Sequence, residues 1–304
     1  MQPYTMFQPN DPQNGPQNGP QNGPQNGIVF NSPHSGTYFP EDFLKNISIA
    51  PDLLHFSGDI LVDHLIKNIP LSGATSFINH FARTYVDTNR AANEIDPGMF
   101  HMPDQPCGFS NTDKVACGFG IFSRKAYNGL DIYPGKLPFS EISHRLDHVY
   151  HPVHNALSGL LKARLDIHKY YLLVDCHSMP SYQFIDPSLS SQTQADLIIG
   201  NCFNSSCSSD LSHHIAHYFS SRGLNVTYNI PYSGGFNTRH YGQCGNRAAN
   251  MCQAIQLEFK RSLYMDEKSL KPNEGFLPLR DLMTGLGESL NKNKSALFPS
   301  EQRL

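Results

Sequence analysis

Tryptophan is absent from the chain, and nowhere do roughly 18 apolar residues run together as a membrane-spanning helix requires. No basic stretch followed by an apolar one opens the sequence, so no secretory signal is read there. The seven cysteines are odd in number and scattered without a CxxC pair. That pattern opposes a disulfide framework and suits the reduced thiols of a cytoplasmic protein. Charge of one sign is missing too: 23 Lys and Arg against 26 Asp and Glu leave a net −3. Such a balance offers no basic field for nucleic acid and no polybasic patch for a membrane surface. There is no GxxxxGK[ST] loop, no GxGxxG in a strand–helix setting and no HExxH. What is plentiful is Phe (19) and Tyr (14), enough for a core, and His (15), which points towards metal or acid–base chemistry. A chain of 304 residues can form one large α/β domain or two small ones.

The most informative stretch is Leu172–Pro180, LLVDCHSMP. Tyr170–Val174 is short, apolar and aromatic, the mark of a buried strand. Ligands of α/β sheets bind beyond the carboxyl ends of such strands, which is where His177 stands. Asp175 lies two residues earlier and therefore on the same strand face, so its carboxylate can fix the tautomer of His177 and raise its basicity as a metal ligand.

Taken in order, residues 1–27 read as a flexible low-complexity tail ending in four tandem PQNG units, because Pro and Gly without apolar residues cannot offset the entropy of ordering. Ile28–Phe30 begins the folded part as a strand, and the turn NSPHSGTYFP (31–40) presents His34. Pro51–Ile69 has a partial helical period and predicts one helix with Asp59 and Asp63 on the same face. Ala74–Asn79 and Thr84–Val86 read as extended pieces, the latter followed by Asp87-Thr88-Asn89-Arg90. An Asn and an Arg at a strand exit suit recognition of a carboxylate; an Arg90–Asp87 pair is the plainer alternative. Residues 91–139 are long and irregular, as lids and binding loops are. Ser140–His168 is helical with a break at Pro152, and its His144, His148, His151 and His154 lack an HExxH context for metal. Beyond the central strand, Ser181–Ser208 is polar loop apart from the short run Leu197–Ile199, Asp210–Ser221 is helical and Val226–Tyr228 extended. The turn PYSGGFNTRHYG (231–242) carries Arg239. Ala254–Phe259 is a second buried strand, and Glu258 within it is costly to bury unpaired, by several kcal/mol (roughly, as for any buried ion), so a functional role is expected. Pro272–Lys292 predicts a terminal helix and 296–304 a frayed end.

His34, His177 and Glu258, with Asn89, Arg90 and Arg239, form a set at element ends. Two His, one carboxylate and a water make an accepted zinc-hydrolase coordination. A separate carboxylate, Glu258, then suits general base catalysis, and the two Arg suit an anionic substrate.

The chain resembles the N-formylglutamate amidohydrolase family in NSPHSGTYFP, in SGD (57–59), DTNR (87–90), HPVHNAL (151–157), LVDCHSM (173–179) and GGFNTRHYG (234–242), and in AIQLEFKRSLYM (254–265). The resemblance covers roughly residues 28–270 and leaves out the PQNG tail. It implies a single α/β domain with a mixed central sheet flanked by helices, of the zinc carboxypeptidase and aspartoacylase type, over residues 28–295. It implies one Zn²⁺ per chain and hydrolysis of the acyl C–N bond of N-formyl-L-glutamate or a similar N-acyl acidic amino acid, a step of histidine degradation. Carried over by residue, it makes His34 and His177 zinc ligands, Glu258 the general base, and Asn89, Arg90 and Arg239 the substrate clamp. Thr37 stands where the carboxypeptidase pattern has a ligand Glu, so the third ligand is expected from Asp59, with Asp63 as the alternative. Residues 91–139 depart from the familiar deformylases and leave the acyl group and amino acid open. Two other readings remain: a carboxypeptidase-like hydrolase of a peptide or cell-wall fragment, and a non-catalytic binder of an acidic ligand. The partner expected is a small anionic molecule, neither nucleic acid nor membrane.

Overall fold

A computed structural model describes residues 1–9, 25–103, 108–127, 129–181, 195–242 and 251–299. Most of the PQNG repeat and residues 182–194 of the loop expected over Ser181–Ser208 lie outside them. Seven strands build one sheet: β1 (Tyr4–Phe7), β2 (Ile28–Ser32), β3 (Thr75–Asn79), β4 (Tyr171–Met179), β5 (Leu197–Gly200), β6 (Val226–Tyr228) and β7 (Cys252–Lys260), in the order β1-β3-β2-β4-β7-β5-β6. β2 and β7 run parallel to β4, and β5 runs antiparallel to β7, so the sheet is mixed. With its flanking helices it is the α/β domain expected. β4 is central because it can be: all nine of its residues are buried, including Asp175, Cys176 and His177.

The positions of Cα atoms divide the chain into two compact units. One comprises Met1–Thr5, Pro33–Ile60 and Ile78–Ser158, the other Met6–Ser32, Leu61–Phe77 and Gly159–Leu304. The second unit holds β2, β4, β5, β6 and β7 whole, packed with aliphatic side chains from Ile28, Leu172, Leu173, Ile199, Leu257 and the helix Ser209–Ser220. The first is aromatic. Phe43, Tyr85, Phe122 and Tyr133 surround the guanidinium of Arg145, which lies 4.6 Å from the Tyr85 ring centroid and within 5.8 Å of the other three. Arg145 is only 1% exposed; it donates through Nε to Glu141 (3.0 Å) and through Nη1 to the Tyr133 hydroxyl (2.9 Å). A buried cation is tolerated here because four ring faces and these acceptors replace its water.

Five expectations need correction. Pro51–Ile69 is not one helix: Pro51–His55 and Val62–Leu65 are separate short helices. Between them Ser57-Gly58 breaks the pattern, the Asp59 N–H donates to His34 O (2.9 Å), and Leu61 adopts a left-handed φ of 69°. Asp59 thus sits on a turn bonded to the His34 backbone. Thr84–Val86 is turn, not strand, since the Tyr85 and Val86 N–H groups bond back to Ala82 O. Pro152 does not split its helix: Leu146–Tyr150 forms a π turn directly before His151–His168, and proline then sits in the first turn, where its missing N–H costs little. At the N-terminus Tyr4–Phe7 is an edge strand instead of tail, tied down by the His80 N–H bond to Pro3 O (2.9 Å) and by Thr5 Oγ1 against His80 Nε2 (2.6 Å). At the C-terminus Phe298 is not frayed. It is buried and stacked on Tyr170 with centroids 4.2 Å apart.

The aromatic cage makes a direct prediction. Arg145→Ala should lower unfolding free energy by about 3 kcal/mol, as expected when one partner of a buried charge network is removed, and Arg145→Lys should recover less than half, because an ammonium cannot serve both Glu141 and Tyr133 in the guanidinium plane. Urea unfolding of the two variants measures both; a Lys variant as stable as the parent contradicts the cage reading.

Candidate metal centre

β4 carries Asp175 and His177 on one face, and their side chains meet: His177 Nε2 lies 2.9 Å from Asp175 Oδ2. The carboxylate is fully buried and well satisfied, its Oδ1 accepting from Asn31 Nδ2 at 2.6 Å and from Asn237 Nδ2 at 3.5 Å. Since a carboxylate oxygen can only accept, Nε2 of His177 carries a proton, and in the neutral ring Nδ1 carries the lone pair. Cys176 between them points into packing; burial, then the Asp175 charge, raises its thiol pKa well above the ordinary value, which makes it an inert core residue.

His34 repeats the arrangement on a turn. Its Nε2 lies 2.7 Å from Asp87 Oδ1, which also accepts the Asn89 N–H at 2.8 Å, while Asp87 Oδ2 accepts Arg83 Nη2 at 2.8 Å. Burial by itself would raise the Asp87 pKa, but the interaction with His34, together with the charges of Arg83 and Arg90, outweighs it and holds the carboxyl well below its usual range. Asp87 is therefore an anion, and His34 too keeps its proton on Nε2. The turn that carries His34 needs Gly36, because a Cβ there would stand 2.4 Å from the His80 carbonyl carbon.

The lone pair of His34 Nδ1 is consequently aimed at a second carboxylate, Asp59 Oδ2, 3.3 Å away, with both side chains 2% exposed. Two acceptors at that distance repel unless positive charge, a proton or a metal ion, lies between them. His34, Asp59 and His177 form the group among the described residues in which three such side chains each offer a ligand atom, all three atoms lying within 4.8 Å of one another. Two imidazoles and a carboxylate, all buried, fit zinc in number and kind. Asp63 lies outside the group and pairs instead with His64 (3.0 Å).

Glu258 is 6% exposed and sits on β7 in direct register with His177 on β4. Gln256, two residues earlier on the same face, donates through Nε2 to Glu258 Oε1 at 2.8 Å. Asn89 is buried, and Arg90 is half-buried with Nε on Phe119 O (3.1 Å) and Nη1 on Asn89 O (3.2 Å). Arg239 is exposed on the short helix Phe236–Tyr241, where its Nη1 bond to Gly234 O (2.8 Å) stays within the same turn. Three hydrogen-bond partners of these residues escaped the sequence reading: Asp87 on His34, Asn31 on Asp175, and Gln256 on Glu258. Only Gln256 left a usable signal, a polar residue at i−2 from Glu258 and so on the same strand face.

Residues 26–265 match the family model described as N-formylglutamate amidohydrolase. An N-formylglutamate deformylase of Pseudomonas aeruginosa is 28% identical over 200 residues, which is 65% of this chain and 66% of the relative; one from Pseudomonas putida is 28% identical over 151 residues, 49% of this chain and 54% of that one. The matched stretches thus span somewhat less than two thirds of the length of these relatives. In three dimensions the chain is similar to the crystal structure of N-formylglutamate amidohydrolase from Ralstonia eutropha, with a TM-score of 0.83, 27% identity and coverage of 96% of this chain and 98% of the other. A gene product of Agrobacterium tumefaciens shares the fold at a TM-score of 0.63 and 15% identity over 97% of each chain. With the family model covering most of its length, the chain belongs to the N-formylglutamate amidohydrolase family.

Proposed function

We propose that the protein is a zinc-dependent hydrolase that cleaves the acyl C–N bond of N-formyl-L-glutamate or a close N-acyl acidic amino acid. The observation that carries this reading is the buried His34, Asp59 and His177 group in a chain of this family. Those three residues would hold the ion. Bound zinc supplies Lewis acidity, which lowers the pKa of a water to roughly 7 and polarises a carbonyl.

The chain's own groups do the remaining work. Glu258, in register beside His177, takes one proton as water adds to the formyl carbon and returns it to the nitrogen as the C–N bond breaks, so that formate and the free amine result. Asp87 and Asp175 hold the imidazoles in the tautomer that offers Nδ1. Asn89 and Arg90 are the groups proposed to receive a substrate carboxylate. Arg90 already spends two of its nitrogens on backbone carbonyls, which fixes its plane and leaves Nη2 for an anion. Arg239, exposed and with its Nη1 bonded to Gly234 O in its own turn, is proposed as the second clamp.

Protein stripped of metal should release no formate from N-formyl-L-glutamate, and one equivalent of zinc should restore turnover; a formate assay decides it, and unaltered activity after stripping contradicts the metal role. Glu258→Gln should keep the fold and the zinc stoichiometry while kcat falls roughly 100-fold or more. His177→Ala should lose zinc by elemental analysis while retaining cooperative unfolding, and full occupancy in that variant would remove His177 from the ligand set.

A further inference from the structure

Gln256 is a buried polar side chain, 4% exposed, in the middle of a strand whose other buried polar residues are Gln253 and Glu258, and the reaction as written above makes no use of it. A buried amide in such a place must satisfy both its ends. Its Oε1 accepts the Gly235 N–H at 2.7 Å and lies 3.5 Å from Thr238 Oγ1. A backbone N–H can only donate, so this contact alone decides which end of the amide is oxygen and turns the NH₂ towards Glu258 Oε1, 2.8 Å away. The orientation of the amide is thus set by the turn at Gly234-Gly235 and passed to the carboxylate.

We infer that Gln256 is a positioning residue for the reaction, holding the Glu258 side chain in one orientation through a hydrogen bond whose direction the Gly235 N–H dictates. This rests on Glu258 as general base. Donation to Oε1 restrains rotation of the carboxylate. The same turn runs into the helix Phe236–Tyr241, whose Asn237 reaches the Oδ1 of Asp175 at 3.5 Å. One short segment therefore steadies the base through Gln256 and the His177 anchor through Asn237.

The test is a double-mutant cycle in formate release by the zinc-loaded enzyme. Gln256→Met, which keeps the shape and removes both bonds, should lower kcat 10- to 100-fold (roughly the cost of losing an orienting partner) with KM within about twofold and zinc unchanged. Placed on Glu258→Gln, the same change should lower the residual rate by less than about twofold, because the carboxylate it orients is gone. Gln256→Glu, which still accepts from Gly235 and replaces the amide donor by a second acid, covers the case of a Met variant that folds badly. It should shift the acid limb of the kcat/KM profile to higher pH, since two carboxylates at this separation share a proton. Near-parental kcat in Gln256→Met and Gln256→Glu, beside a Glu258→Gln that is dead, overturns the inference and leaves the base in place. An equal loss in both backgrounds assigns Gln256 a merely structural role and overturns it too. A Glu258→Gln enzyme with near-parental turnover overturns the base assignment itself, and this inference with it.

Discussion

Everything about the candidate centre depends on two carboxylate–imidazole bonds, Asp87 to His34 at 2.7 Å and Asp175 to His177 at 2.9 Å. Each places a ring proton on Nε2 and so makes Nδ1 the nitrogen that the neutral imidazole offers. Without that choice, the 4.8 Å grouping with Asp59 would be three polar side chains with undefined donors and acceptors. With it, the lone pair of His34 Nδ1 meets the Asp59 carboxylate at 3.3 Å, an arrangement that calls for a cation. Burying the anchoring carboxylates is expensive, and the chain meets that cost with further donors: Asn31 and Asn237 on Asp175, Arg83 and the Asn89 N–H on Asp87.

The secondary structure serves this arrangement. β4 delivers Asp175 and His177 by strand alternation alone, and β7, parallel to it, places Glu258 opposite His177. His34 comes from a turn after β2 that Gly36 allows to approach the backbone at His80, and Asp59 from a turn whose N–H is bonded to His34 O. The polar groups of the centre therefore sit at the ends of rigid strands or on turns fixed by backbone bonds. That is the usual division of labour between scaffold and site.

Much of this was legible in the residues. β4 and β7 announce themselves as apolar runs interrupted by chemistry, and the motifs around His34, His177 and Glu258 carried the family resemblance that the family model bears out. The third acid was harder. Periodicity placed Asp59 and Asp63 on a helix, but Ser57-Gly58 ends the first helix, and the turn that results puts Asp59 in the group while Asp63 turns to His64. Local pattern cannot foresee that, because the deciding bond runs from the Asp59 N–H to a carbonyl 25 positions earlier in sequence, at His34. For Asp87 the sequence offered a pair with Arg90 only as an alternative, yet Asp87 pairs with Arg83, four residues before it, and with His34. Arg145 gave no warning at all: a lone Arg on a helix reads as a solvated face, and only the assembled aromatic rings show otherwise. Tyr4–Phe7 was hidden by the PQNG repeat that follows it, since four residues cannot outweigh a long biased segment in any compositional reading.

The most direct test of the central claim is the position and ligation of zinc in crystals of the metal-loaded protein, located by anomalous scattering at the zinc edge. One ion per chain is expected, held by Nδ1 of His34, Nδ1 of His177 and a carboxylate oxygen of Asp59, with Asp87 and Asp175 still on the Nε2 atoms. An ion bound elsewhere, or bound through Nε2 with either aspartate displaced, would contradict it.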